Sequence, residues 1–259
     1  MTSAMRSTFP SGTADAQSLS RTGLFPADAT RSRAEQTRSV LSGIESALAG
    51  AGMDFRHVVR TWFHLDHILD WYGEFNAVRT AFFRERGVFG GVVPASTGVG
   101  IANAEGAALV GGFLAVKPVS ERARVHAVAS PLQCPALDYD SSFSRAVEVD
   151  VPGRRHLFVS GTASIDPAGA SVCRGDLDGQ IGLSMDVVEA ILASRALSWR
   201  DTVSAVGYFV DAKGAGRLDA YRRARGLEEL RIEPVEATIC RDDLLFEIEL
   251  EAVKLGPTA

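Results

Sequence analysis

Leu245-Phe246-Glu247-Ile248-Glu249-Leu250-Glu251, near the end of the chain, alternates between apolar and acidic side chains from Phe246 onward. This two-residue period predicts a β-strand whose apolar side chains face a core and whose three glutamates share the other face. Glutamates two apart on a strand lie roughly 7 Å from each other. If that face is solvated, the acids are ordinary surface groups. If it lines a cleft, burial and mutual repulsion raise a carboxyl pKa and create a general acid.

The whole chain has 259 residues, of which 46% are hydrophobic and 23% charged, which is typical of a globular protein with one large or two ordinary domains. A net charge of −5 without a basic stripe disfavours a nucleic-acid partner. Neither a membrane-spanning run nor the apolar core of a signal peptide is present, so we expect no membrane partner and a cytoplasmic location. Cys134, Cys173 and Cys240 are widely spaced, which predicts no disulfide and no metal site.

Hydrophobic periodicity predicts two series of elements in the same order: helix, strand, helix, strand, strand. The first series comprises a helix over 34–49, a strand over 57–65, a helix over 71–87, and strands over 92–101 and 107–116. The second comprises a helix over 178–196, a strand over 201–210, a helix over 218–226, and strands over 231–240 and 244–254, which we expect to pair with each other. A further strand over 155–165 precedes the second series.

Local sequence echoes support a tandem duplication. Gln36 and Gln180 hold the same place in their helices, and Pro94-Ala95-Ser96-Thr97-Gly98-Val99 parallels Pro234-Val235-Glu236-Ala237-Thr238-Ile239. The fold class is therefore α+β, with two tandem domains, each a mixed sheet with helices on one face. We expect a flexible N-terminal arm or reduced strands over 1–33, a truncated first domain over 34–118, a linker over 119–152 with one short strand, and a second domain over 153–256.

The segment from Leu157 to Pro167, followed by Gln180, resembles the YjgF/Rid (reactive intermediate deaminase) superfamily, whose fold is chorismate mutase-like. A closer likeness is to the chorismatases, which are tandem Rid-like proteins that act on chorismate. The matching segments are 60–62, 94–100, 142–146, 160–164, and Cys240-Arg241 with 244–249. The resemblance implies an enzyme without a cofactor that assembles as a trimer or pseudo-trimer.

The resemblance also implies roles for single residues. Glu247 would protonate the vinyl carbon of an enolpyruvyl group, Glu249 would place a water molecule, and Arg145 would clamp a carboxylate. We expect the substrate, a small carboxylate, to be bound by Arg145, Gly161, Thr162, Ala163, Tyr208 and Cys240. We expect Glu251 on the surface. Structural roles stay open for each binding residue: a strand-to-turn transition at 161–163, a surface arginine, and packing for Cys240 and Tyr208.

Two departures from the family patterns keep three functions open. Phe209 follows Tyr208 where chorismatases carry an arginine, while Ser96 and Glu236 occupy the positions of the arginine that anchors substrates in simple Rid deaminases. The leading hypothesis is a chorismatase-like lyase or hydrolase that releases pyruvate. The alternatives are an enamine or imine deaminase with a displaced anchor, and a non-catalytic ligand-binding or structural homologue.

Overall fold

The computed structural model describes residues 5–139 and 141–256. The first domain has the order β1 (Ala16–Leu24), α1 (Arg33–Gly50), β2 (Val58–Leu65), α2 (Tyr72–Glu85), β3 (Ala95–Gly100) and β4 (Leu109–Pro118). Its sheet has the strand order β1-β4-β2-β3, in which β2 and β3 are parallel and the other neighbours antiparallel. Helix α1 begins where Ser32 and Glu35 form a reciprocal capping box, which satisfies two backbone N–H groups that the first turn leaves unpaired.

The second domain repeats this plan with two additional strands. Its elements are β5 (Arg124–Val128), β6 (Ala146–Val151), β7 (Arg154–Ala163), α3 (Leu177–Ser194), β8 (Thr202–Phe209), α4 (Ala215–Ala224), β9 (Glu233–Glu236) and β10 (Phe246–Leu255). The strand order is β5-β6-β7-β10-β8-β9, and only β8 and β9 are parallel. The predicted α+β class with two tandem mixed sheets is confirmed.

The two echoed glutamines perform the same task in both domains. The side-chain oxygen of Gln36 accepts the backbone N–H of Ala108, just before β4, and that of Gln180 accepts the N–H of Leu245, just before β10. Each glutamine thereby ties the start of its helix to the start of the last strand of its domain. The duplication is therefore a structural repeat as well as a sequence echo.

Strand β1 lies in the region expected to be a flexible arm or reduced strands, and it pairs with β4 from Ala16 to Arg21 and again at Leu24, which agrees with the second of these alternatives. Two local expectations differ from the structure. Two strands, β5 and β6, lie in the region expected to be a linker. The strands near 231–240 and 244–254 do not pair with each other, because β9 lies parallel to β8 while β10 lies between β7 and β8. Periodicity marks a strand but does not identify its partner.

The two sheets pack face to face, and the helices cover their outer sides. Their shared core joins Val59, Trp62, Leu114 and Val116 of the first sheet to Val147, Val149 and Phe158 of the second, with Met5 and Phe9 between them. Strand β10 is consequently buried on both faces. Phe246 and Ile248 pack under α3, and the glutamates face the first domain. Within the described residues, no helix is long and apolar enough to cross a membrane.

Candidate active site between the two domains

The acidic face of β10 is buried, which decides between the two interpretations of the alternating stretch. Glu247, Glu249 and Glu251 are only 4%, 5% and 4% exposed. The expectation that Glu251 lies on the surface is wrong, because the N-terminal segment covers it. Its carboxylate accepts hydrogen bonds from Ser7 Oγ (3.1 Å) and from the backbone N–H and hydroxyl of Thr8 (2.9 and 2.7 Å).

Glu251 also lies 3.0 Å from Nδ1 of His156. Burial alone would raise the pKa of Glu251, but the hydrogen bonds from His156 and Thr8 bring it below its ordinary value. Glu251 is thus an ionised group that attaches residues 7–8 to β10. It has no access to the cavity described below.

Glu249 is held between the domains by two side chains of β2. A terminal nitrogen of Arg60 lies 2.6 Å from one carboxylate oxygen, and the indole N–H of Trp62 donates to the other at 3.0 Å. Burial raises the pKa of Glu249, and the guanidinium of Arg60 opposes that rise. Glu249 therefore belongs to the contact between the domains and does not line the cavity.

Glu247 lines a cavity of about 160 Å³ between the two domains. Its carboxyl lies directly over Gly161, where an added Cβ would be only 1.9 Å from Oε1. Glycine is required there so that the carboxyl can approach the backbone of β7. Burial, and then the charge of Glu249, raises the pKa of Glu247 to about 8, against a smaller opposing effect of Arg60. Glu247 is thus a neutral acid at physiological pH.

Three arginines line the same cavity: Arg79 of α2, Arg145 just before β6, and Arg241 before β10. None of them forms an ion pair with an acidic residue in the described parts of the chain. Arg79 is 1% exposed and donates only to neutral partners, Asn76 Oδ1 at 2.7 Å and Ser96 Oγ at 3.3 Å. A buried guanidinium without a carboxylate is costly, so this wall favours an anionic ligand.

The other two arginines are held by backbone oxygens, by the Ser171 hydroxyl, which accepts from Arg241 at 3.2 Å, and by aromatic rings, including that of Phe143 at 5.6 Å from the Arg145 guanidinium. Nε of Arg145 donates to the carbonyl of Cys134 at 2.9 Å, which leaves one of its terminal nitrogens buried without a partner. Arg241 donates to the carbonyl of Gly169 at 2.9 Å. The ring of Tyr139 lies 5.3 Å from the guanidinium of Arg145 and 5.6 Å from that of Arg241. Tyr139 therefore holds both cations at one side of the cavity.

The predicted binding residues are divided between the cavity and the core. Arg145, Gly161, Ala163 and Cys240 line the cavity together with Glu247. Burial raises the pKa of the Cys240 thiol to about 12, so Cys240 is a neutral wall group.

Thr162 and Tyr208 do not line the cavity. Neighbouring residues of β7 face opposite sides of the sheet, so Thr162 points away from the side on which Gly161 and Ala163 line the cavity. Its hydroxyl donates to the carbonyl of Ser160. Tyr208 is fully buried in a small apolar cluster with Val99 and Ile239, and burial raises its pKa.

Arg79, Arg241 and Tyr139 were not identified from the sequence as site residues. Arg79 carried a signal, because it lies on the helical face shared by Phe75, Phe82 and Phe83, all of which are buried. A charged residue within such a stripe must meet a buried polar partner or ligand. Tyr139 lies in an irregular segment with no periodic pattern, so no sequence signal indicated it.

The first domain has apolar residues at the positions equivalent to the three glutamates. Ala252-Val253-Lys254 of β10 corresponds to Ala115-Val116-Lys117 of β4, and this alignment places Val110, Gly112 and Leu114 where the three glutamates stand. The strand registers agree, since Glu249 pairs with Val206 of β8 and Gly112 with Trp62 of β2, the fifth residue of each strand. The duplicated fold therefore carries its acidic strand in the second domain.

Comparisons with known proteins agree with this architecture. The family model described as Endoribonuclease L-PSP matches residues 11–110. No curated protein sequence matches the chain. A crystal structure of a chorismatase superposes with a TM-score of 0.68 at 20% identity, covering 92% of this chain and 73% of that chain.

Two further solved structures each cover about half of this chain. An L-PSP protein from Entamoeba histolytica, described as a putative endoribonuclease, is 21% identical and covers 51% of this chain and 100% of its own, with a TM-score of 0.43. A protein of the same description from Thermotoga maritima is 25% identical and covers 51% of this chain and 98% of its own, with a TM-score of 0.41. Residues 11–110 are thus similar to the Endoribonuclease L-PSP family, and the chain as a whole shares the overall fold of the chorismatase crystal structure.

Proposed function

We propose that the protein is a cofactor-free enzyme that cleaves the enolpyruvyl ether of chorismate or a related small carboxylate and releases pyruvate. One observation carries the proposal. Glu247 retains its proton near neutral pH, in a cavity whose walls hold three arginines that form no ion pair with any acid in the described residues. A neutral acid beside these cations suits an anionic substrate that reacts by protonation.

The arginines would bind and orient the substrate. Its carboxylates pair with guanidinium groups of Arg79, Arg145 and Arg241, where charge-assisted hydrogen bonds add to the neutral contacts of these side chains. Tyr72 and Tyr139 also line this space, and burial raises the pKa of both phenols, so each can donate a neutral hydrogen bond. The vinyl carbon is then directed toward the carboxyl over Gly161.

Glu247 transfers its proton to the terminal CH₂ carbon, and the electron pair of the C=C bond forms the new C–H bond. The resulting oxocarbenium ion is stabilised by the carboxylate left on Glu247. Water adds to the cationic carbon and returns a proton to that carboxylate, which restores the acid. The hemiketal then breaks at the bond to the ring oxygen, which takes up the hydroxyl proton, so that substrate and water become an alcohol and pyruvate.

The deaminase alternative retains one specific observation in its favour. Ser96 occupies the position where simple Rid deaminases carry their anchoring arginine, and Arg79 donates a hydrogen bond to the Ser96 hydroxyl at 3.3 Å. A guanidinium from α2 therefore reaches the place of the missing anchor. An enamine or imine with a carboxylate could be held in this way.

The functions are separated by their products. Incubation with chorismate should release pyruvate, measured by coupled oxidation of NADH with lactate dehydrogenase, and Glu247→Gln should abolish the release while the protein stays folded. Absence of pyruvate above background would contradict the proposal. Ammonia released from an enamine generated from serine would support the deaminase instead. A carboxylate-induced rise in Tm without either product would support ligand binding alone.

A further inference from the structure

A buried chain of hydrogen bonds connects the first domain to the acidic strand. One terminal nitrogen of Arg60 lies 2.6 Å from Glu249 Oε2 and also 2.6 Å from Thr97 Oγ1. The same hydroxyl oxygen accepts the backbone N–H of Gly161 at 3.0 Å. Arg60, Thr97 and Glu249 are 3%, 2% and 5% exposed, so the chain is shielded from bulk water. Such shielding strengthens each of its electrostatic contacts.

Neither Arg60 nor Thr97 lines the cavity, yet each binds a residue that adjoins Glu247. Glu249 is two residues along β10, on the same face of the strand, and Gly161 is the residue against which the Glu247 carboxyl lies. We propose that Arg60 is a positioning residue of the reaction: by pairing with Glu249 it keeps an anion beside Glu247, so that Glu247 retains the proton that it transfers. This inference rests on the proposed role of Glu247 as general acid.

The surrounding groups raise the pKa of Glu247, which is the direction that this role requires. Burial and then the charge of Glu249 raise the pKa of Glu247, while Arg60 lowers it to a smaller degree, so the pair together raises it. The other titratable and charged groups around the two carboxyls come from several elements. They are Tyr72 and Arg79 of α2, Tyr139 and Arg145 before β6, Tyr208 of β8, Cys240 and Arg241 before β10, and Glu251 of β10 itself. None of these other groups forms an ion pair with Glu249 in the described parts of the chain.

The repeat shows that this network is asymmetric. Arg60 pairs in register with Leu114 of β4, and the corresponding pair in the second domain is Ser204 with Glu251 of β10. The first domain therefore supplies the guanidinium of this network, and the second domain supplies its acids. The first domain consequently contributes to the proton-bearing state of Glu247 without supplying an acid of its own.

The double variant Arg60→Gln/Glu249→Gln tests the inference, because it removes both charges and leaves no buried charge unpaired. The alkaline limb of its kcat profile should move down by about one pH unit. Isotope-edited NMR of the labelled glutamate carboxyls, assigned with Glu247→Gln, should show the same downward shift in the titration of Glu247. This second measurement needs no substrate, so it still decides the inference if chorismate is not turned over.

A matched control removes a comparable ion pair away from the cavity. Arg195 donates to Glu148 at 2.8 and 2.9 Å, and Glu148 is 1% exposed. Arg195→Gln/Glu148→Gln should leave both the pH profile and the Glu247 titration unchanged. The contrary outcome is that the Arg60→Gln/Glu249→Gln variant loses activity equally at every pH while the Glu247 titration stays unshifted. That result would show that the Arg60–Glu249 pair is structural, and it would overturn the inference.

Discussion

Gly161→Ala should separate the placement of the catalytic carboxyl from the stability of the fold. The new Cβ would lie 1.9 Å from Oε1 of Glu247, whereas non-bonded heavy atoms approach to about 3.5 Å. The carboxyl must therefore move by roughly 1.6 Å, the difference between those two distances. Because a misplacement of about 1 Å can cost about 100-fold in rate, we expect kcat for pyruvate release to fall by about 100-fold or more.

The same substitution should have little effect on stability. The closest atoms belong to the flexible end of Glu247, and the next contact is Thr97 Cγ2 at 3.3 Å. The overpacking cost of about 1 kcal/mol is partly offset by the lower entropy of alanine in the unfolded chain. The Tm measured by differential scanning calorimetry should therefore change by less than about 4 °C.

Gly182→Ala provides the matched control. Gly182 lies within α3, and an added Cβ there would meet no atom within 4 Å. This variant should be about 0.5–1 kcal/mol more stable and keep its activity, because alanine is the better helix former. A Gly161→Ala enzyme with a kcat within about twofold of wild type, or one whose activity is lost through unfolding, would refute the reasoning about Glu247.

Three further substitutions test the buried ionisable groups. Glu247→Gln should raise the Tm at about pH 8 and leave it unchanged near pH 4. The folded protein keeps Glu247 protonated up to about pH 8, whereas the unfolded chain ionises it near 4.5, so the wild-type protein loses stability as pH rises between these values. An equal Tm difference at both pH values would contradict this. Arg79→Met should raise the Tm, since it removes a buried cation that meets no carboxylate among the described residues, and should raise KM by about 10–100-fold through loss of a charge-assisted hydrogen bond. An unchanged KM would exclude Arg79 from substrate binding. Glu251→Ala should lower the free energy of unfolding in urea by about 3 kcal/mol, because it leaves the donors of Thr8 and the ring of His156 without an acceptor, and a loss below about 1 kcal/mol would show that the N-terminal segment is held by other contacts.

Short-range patterns were sufficient to predict much of the fold. Alternation identified β10, the 3.6-residue period identified α1 and α3, and the paired glutamines indicated the duplication. Strand β1 was left open as a flexible arm or reduced strands, and only one short strand was expected in the region that holds both β5 and β6. Strands β1 and β5 contain few buried residues, so their side chains do not alternate regularly between a core and solvent. Strand β6 does carry the alternation Val147-Glu148-Val149-Asp150-Val151, which agrees with one short strand in this region.

The site residues also fall into two groups: those that the sequence indicated, and those whose position depends on tertiary packing. Motif resemblance indicated Glu247, Gly161, Arg145 and Cys240, all of which meet at one cavity. It also indicated Glu249, whose position away from the cavity depends on Arg60, 189 positions away in the chain. No local pattern records a contact over such a distance, because it arises only when the two sheets pack together.

The sequence by itself determined that residues 246–251 form a strand with three carboxyls on one face, since a period of two permits no other arrangement of those side chains. Only the tertiary structure decided what each carboxyl does. The three glutamates are chemically identical, but Glu251 is ionised under the N-terminal segment, Glu249 is paired with Arg60, and Glu247 is left protonated in the cavity. The difference comes from the groups that tertiary packing places beside each residue, because burial and neighbouring charge set a carboxyl pKa.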